Sequence, residues 1–260
     1  MEKDQKLGLV LSGGGARGFA HLGVLEAFED FGLRPDIISG TSAGAIAGVF
    51  YANGYHPREI LDILMQRNFI SYTRLSLSRG RGFMKLSGVK KLMKDKLTVK
   101  NIEDLDIPFV ICVTNMNKGV SEYFASGPII DAVLASSSIP VIFQLIKING
   151  TLYADGGVLN NLPVDGIKDK AELIFGINVT PPAEEDDLGS VLQIAERSFH
   201  LSISANINTK VSLCDHYIEM PELMNYSLLK SSNGKKIYEI GYNKTKEYLR
   251  DHGRDLKKAL

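Results

Sequence analysis

The sequence predicts an α/β fold with a mixed central sheet, in one domain over residues 1–260. Three observations carry this expectation. The run Leu7–Leu11 is apolar at nearly every position, which suits a strand buried on both faces better than one with a solvated side. A helix-spaced segment follows it at once, and a second strand-to-helix unit comes next, so the chain opens β-α-β-α. With 44% hydrophobic and 23% charged side chains over 260 residues, the chain can bury a sizeable core and is not composed like a disordered one.

Phe19, Leu22, Val24, Leu25, Phe28 and Phe31 recur at helical spacing, and Gly32 with Pro35 ends the pattern. Residues 36–39 form a second short strand that runs into Gly40-Thr41-Ser42-Ala43-Gly44 and a helix through Tyr51. Residues 108–114 and Val120–Phe124 read as paired strands, 129–135 as a helix, and 145–153 as a hairpin turning on Asn149-Gly150. Residues 172–179 give one more buried strand. Pro181-Pro182 and the acidic run 184–187 make a loop, and residues 188–211 a long helix. In 235–250, Ile237, Ile240, Tyr242 and Tyr248 alternate with charges as on a surface helix. The motif-bearing core therefore spans about 7–180, with a C-terminal helical extension over about 185–260.

Thirty basic residues cancel thirty acidic ones, so no overall field points to a nucleic-acid partner. Cys112 and Cys214 sit in apolar surroundings without a CxxC pair, which favours buried free thiols. No metal or cofactor is expected. The polar opening MEKDQK and the short apolar run after it do not make a secretory leader, and no apolar stretch reaches the roughly 18 residues that span a bilayer. The expectation is a cytoplasmic protein whose membrane contact, if any, is peripheral.

Gly13-Gly14-Gly15-Ala16-Arg17-Gly18 joins the first strand to the first helix, turning backbone N–H groups outward beside a positive helix end. Gly13, Gly15 and Gly18 also satisfy G-x-G-x-x-G, so a dinucleotide site and hence a nucleotide-binding oxidoreductase competes here. Against it, the end of the second strand carries Ser39-Gly40-Thr41-Ser42 where an acidic residue would hold a ribose. Gly40-x-Ser42-x-Gly44 is the pattern of a nucleophile elbow, in which small neighbours permit a strained turn that exposes a serine hydroxyl. Two adjacent strand-to-helix turns can meet at one sheet edge, the first supplying oxyanion donors and the second the nucleophile.

A serine nucleophile requires a group to take its proton. His200 and His216 keep a histidine triad open, although His200 falls within a long helical pattern and His216 at a strand start. His21, His56 and His252 offer less. Asp155-Gly156-Gly157 comes straight off the hairpin strand with its carboxylate uncrowded and is the better candidate, although composition alone favours a simple turn there.

Together, Gly13–Gly18, Gly40-Thr41-Ser42-Ala43-Gly44, Ala135-Ser136-Ser137-Ser138-Ile139-Pro140 and Asp155-Gly156-Gly157 resemble the patatin-like phospholipase family, in its order, over about 7–180. The resemblance implies a three-layer α/β/α fold with a mostly parallel central sheet, and a Ser-Asp dyad without histidine, hydrolysing acyl esters of phospholipids or lysophospholipids. By position it makes Ser42 the nucleophile and Asp155 the base. Gly13, Gly14 and Gly15 would supply the oxyanion hole, with Arg17, Gly18, Gly40, Gly44 and Gly156 supporting the loops. A non-catalytic lipid-binding protein of the same fold remains the other alternative. Finally, no acid occurs between Asp62 and Asp95, whereas Arg67, Arg74, Arg79, Arg81, Lys85, Lys90, Lys91 and Lys94 are interleaved with apolar Phe69, Ile70, Tyr72, Leu75, Leu77, Phe83 and Met84. Residues 69–91 are thus expected to approach anionic lipid surfaces, unless they form an ordinary solvated loop.

Overall fold

A computed structural model describes residues 6–66, 74–75, 84–182, 189–228 and 230–259. The strands are β1 (Leu7–Leu11), β2 (Ile37–Thr41), β3 (Arg74–Leu75), β4 (Met84–Lys85), β5 (Phe109–Asn115), β6 (Val120–Phe124), β7 (Ile146–Ile148), β8 (Thr151–Asp155), β9 (Leu173–Asn178) and β10 (His216–Glu219). The helices are α1 (Phe19–Asp30), α2 (Ala43–Ala52), α3 (Pro57–Gln66), α4 (Ser87–Lys96), α5 (Ile129–Ser136), α6 (Val191–Asn208) and α7 (Gly234–Ala259).

β10, β9, β1, β2 and β5 lie side by side in that order and all run parallel, as the fully buried run of β1 requires. β6 and β8 pair with β5 antiparallel, and β7 pairs with β8 through the Asn149-Gly150 turn, where both residues have positive φ, 48° and 87°. Because a strand has only two edges, the three partners of β5 must share them. β6 pairs with Ile111 through Asn115, so β2 and β8 divide the other edge, β2 up to Cys112 and β8 from Val113. The end of β2 and the end of β8 therefore meet head to head on β5.

Side chains alternate across the sheet. Leu9, Leu11, Ile38, Phe175 and Ile177 join α1 and α2 in the larger core, while Val10, Ile37, Val110 and Ile174 turn to the opposite face against Ile203 and Ile207 of α6. These are the three layers of the predicted sandwich. α1 is buried over Phe19 to Phe28 because α7 lies outside it as a further layer. The two helices cross closely at Gly23: a Cβ there would stand 2.1 Å from the Tyr238 carbonyl oxygen. The expected surface helix is thus a cover with a buried stripe, Ile237, Thr245 and Leu249 facing inward. Residues after 185 are not helical throughout either, since β10 extends the sheet beside β9.

Ser190 caps α6 by accepting the Gln193 N–H at 3.3 Å, so the expected helix over 188–211 is observed as Val191–Asn208. Cys112 is buried, Cys214 half-buried, and both are free thiols. The acidic run 184–187 and most of the basic segment lie outside the described residues. Lys90, Lys91 and Lys94 fall on α4, whose Val89, Leu92 and Met93 are buried. Among the described residues, no helix is long and apolar enough to cross a membrane.

Candidate active site

Ser42 sits between β2 and α2 with φ 52° and ψ −116°, a left-handed conformation that costs a non-glycine residue about 1–3 kcal/mol and persists only when its surroundings enforce it. Two features enforce it here. The Ser42 N–H donates to Ser136 Oγ at 2.9 Å, and the Ser136 hydroxyl donates in turn to the Cys112 carbonyl at 2.6 Å, at the rung of β5 where β2 ends. The first turn of α2 also lies against the end of β1. A Cβ on Gly44 would stand 2.3 Å from the Leu11 carbonyl oxygen, so only glycine fits. Together these make the strained strand-to-helix turn that the spacing Gly40-x-Ser42-x-Gly44 predicts, although Ser42 itself is buried, at 7% exposure.

Asp155 ends β8 opposite Val113, the rung of β5 next to the one that Thr41 pairs with. That register brings Asp155 to Ser42 across 113 residues of sequence, 155 − 42. The Asp155 N–H donates to the Ser138 carbonyl at 2.9 Å, and Oδ1 accepts the Gly157 N–H at 2.8 Å. Oδ2 is buried and makes no well-directed hydrogen bond, yet the Ser42 hydroxyl is near enough to favour the ionised form. Burial dominates: it raises the pKa of Asp155 from 3.8 to about 7, and the Ser42 hydroxyl and Gly157 N–H oppose only part of that shift.

In the glycine-rich turn, the Gly13 N–H donates to the Asn161 carbonyl at 3.2 Å and the Ala16 N–H to the Leu228 carbonyl at 2.7 Å. The oxyanion expectation therefore does not extend to Gly13 in this arrangement, because its donor is already used. Among the described residues, the N–H groups of Gly14 and Gly15 make no hydrogen bond. Gly15 has φ 53°, and a Cβ there would stand 2.2 Å from the Leu228 carbonyl oxygen. Chain from residues 161 and 228 thus covers the turn where a pyrophosphate would lie, which removes the structural basis of the dinucleotide reading. Buried Arg17 reaches the other way, with Nε donating to the Tyr226 carbonyl at 2.7 Å and Nη2 to that of Met224 at 3.4 Å, and so ties the turn to residues 224–226.

No histidine completes a triad. His21 Nε2 donates to the Ser12 carbonyl at 2.8 Å, and burial depresses its pKa to about 4, so the ring is a neutral strut below the turn. His216 stacks on Phe175 and bonds Tyr248 under α7. His200 lies beside Arg17 and Arg197, and since neither its Nε2 nor Asp155 Oδ2 has a hydrogen-bond partner, the two do not pair. Ser136 and Ser138 were legible only as part of the Ala135-to-Pro140 motif. Their tasks, holding the backbone of Ser42 and of Asp155, depend on contacts that no local pattern encodes.

Ser42 and Gly15 open onto an apolar cleft of about 760 Å³, mouth included, walled by Ile46, Leu64, Val89 and Phe143 among others. A serine on a strained strand-to-helix turn, beside a buried carboxyl and above an apolar cleft, defines an α/β protein of the nucleophile-elbow class.

The comparisons narrow that class. The sequence model described as "Patatin-like phospholipase" matches residues 9–167. The chain belongs to the patatin-like phospholipase family. It is 30% identical over 287 residues to "Lysophospholipase nte1" of Emericella nidulans, covering 94% of this chain and 18% of that protein. The corresponding "Lysophospholipase NTE1" of Kluyveromyces lactis is 29% identical, with 94% and 19% covered. The chain thus spans less than a fifth of the length of these curated relatives. Among solved structures, VipD from Legionella pneumophila superposes with a TM-score of 0.56 at 17% identity, covering 96% of this chain and 67% of that one, a likeness of fold.

Proposed function

We propose that this protein is a serine acyl hydrolase that cleaves acyl esters of lysophospholipids or phospholipids with a Ser42–Asp155 dyad. The observation that carries the reading is Asp155 Oδ2, buried and unbonded beside the hydroxyl of a serine held at φ 52°. As Ser42 Oγ attacks the ester carbonyl, the Asp155 carboxylate takes the hydroxyl proton. Negative charge then collects on the former carbonyl oxygen, which the N–H groups of Gly14 and Gly15 and the N-terminus of α2 stabilise. Collapse breaks the ester C–O bond, the proton passes from Asp155 to the leaving alcohol, and an acyl-Ser42 remains. Water, deprotonated by Asp155, hydrolyses it by the same steps in reverse. The apolar cleft accommodates the acyl chain, and the relatives named lysophospholipase support a lipid ester as the substrate.

The protein is proposed to act in the cytoplasm and to reach its lipid peripherally through about residues 69–91. A fluorophosphonate should label wild type at Ser42, as read by peptide mapping, and leave Ser42→Ala unlabelled and inactive on a short-chain aryl ester with its fold intact. Labelling elsewhere, or Ser42→Ala activity within tenfold of wild type, removes Ser42 from the mechanism.

A further inference from the structure

Ser42 and Ser137 both line the apolar cleft, and they stand together, because the neighbouring Ser136 holds the Ser42 N–H. Ser137 is 5% exposed, and among the described residues its hydroxyl has no hydrogen-bond partner. A buried hydroxyl left unbonded costs free energy until a ligand oxygen satisfies it. Ile46, Ala47, Leu64 and Val89 continue the wall without a polar side chain. Such a cleft suits a ligand with oxygen atoms at Ser42 and a hydrocarbon tail beyond it, which describes an acyl ester.

The length of tail that fits is written along α2, which starts at Ser42. Ala43, Ile46 and Ala47, spaced three and four residues apart, share the face of α2 that lines the cleft. Phe50 comes next on that face, but it is fully buried in the larger core, in edge contact with Tyr55 at 5.7 Å between ring centroids, and does not line the cleft. Two methyl side chains therefore floor the trough before bulk closes it. Ala47 lies about 7.5 Å beyond Ser42 along the axis, five residues at 1.5 Å each. An extended chain advances roughly 1.2 Å per bond, so an acyl chain that starts at Ser42 passes Ala47 at about its sixth carbon. Ala47 is 2% exposed, so a larger side chain there has to project into the cleft or press on packed core.

We propose that Ala47 is the specificity-determining residue for acyl-chain length: its small side chain keeps the trough open past about the sixth carbon, so that longer chains continue against Leu64 and Val89. The inference rests on the acyl-hydrolase reading above. Each methylene that leaves water for this wall strengthens transition-state binding by about fourfold. The protein thereby favours medium and long acyl chains over short ones.

The test measures kcat/KM on butanoyl, hexanoyl, octanoyl and decanoyl aryl esters, all kept monomeric, for wild type, Ala47→Phe and Ala47→Val. For wild type the value should climb from the butanoyl to the decanoyl ester. In Ala47→Phe it should stop rising at the hexanoyl ester, which lowers the decanoyl-to-butanoyl ratio by about a hundredfold. Ala47→Val adds less bulk and disturbs the core less, and should lower that ratio by about fivefold or more. An unchanged ratio in either folded variant overturns the inference and leaves the hydrolase standing. Calorimetric titration of Ser42→Ala protein with decanol and with hexanol reads the trough without any turnover. Decanol should bind about tenfold or more tightly than hexanol, and adding Ala47→Val should remove most of that difference, whether or not wild type proves to be a hydrolase. Equal binding of the two alcohols, or a difference that Ala47→Val leaves in place, overturns the assignment of Ala47.

Discussion

Replacing Asp155 with Asn should abolish ester hydrolysis and at the same time remove a pH-dependent loss of stability. Burial raises the carboxyl from 3.8 to about 7, so between those values the folded protein holds a proton that the unfolded chain has released. Stability contributed by this group is complete below pH 3.8 and is lost as pH rises to about 7, where ionising the buried carboxyl levels off the cost. At pH 5 the loss is about 1.36 × (5 − 3.8), near 2 kcal/mol, and at pH 8 about 1.36 × (7 − 3.8), near 4 kcal/mol, a difference of roughly 3 kcal/mol. Asparagine does not titrate. Urea unfolding of wild type and variant at pH 5 and pH 8 gives four free energies, and any constant effect of the amide cancels in their double difference. Wild type should lose roughly 3 kcal/mol more than the variant over that interval. The same carboxylate is the proposed base, so kcat/KM of wild type on an aryl ester should climb with pH and level off above about 7. Identical pH dependence of stability in both proteins, or activity already maximal at pH 5, would refute a buried Asp155 with a raised pKa.

Ser42→Gly should be inactive yet more stable than Ser42→Ala by about 1 kcal/mol, because only glycine relieves φ 52°; an alanine variant of equal or greater stability in thermal unfolding contradicts the strain. Ser136→Ala leaves the Ser42 N–H and the Cys112 carbonyl without their buried partner, so chemical denaturation should show a loss of about 2 kcal/mol, with kcat falling more than KM changes. Unchanged kcat would mean that the elbow holds its shape without it. Anionic vesicles should bind the protein better than neutral ones despite zero net charge, through the eight basic residues over 63–94. Changing Arg74, Arg79, Arg81 and Lys85 to Glu should weaken co-sedimentation and spare aryl-ester turnover; equal binding would assign the segment to a solvated surface.

The sequence by itself determined the elements whose cause is local. The apolar run of β1, the helical spacing after it, the Asn149-Gly150 turn and the small residues around Ser42 act over a few residues, and each is found where the pattern places it. The amphipathic pattern of residues 235–250 was legible too, but not that its apolar stripe would cover α1, since a stripe does not name its partner. What only the tertiary structure decided is the meeting of Ser42 with Asp155 on a shared edge of β5, the use of Ser136 and Ser138 to hold them, and the loss of the Gly13 donor to Asn161. Each of those contacts joins residues 17 to 148 positions apart. Strand register and long-range packing fix them, and the raised pKa of Asp155 follows from the same burial, a property of the assembled layers that neighbouring residues along the chain do not carry.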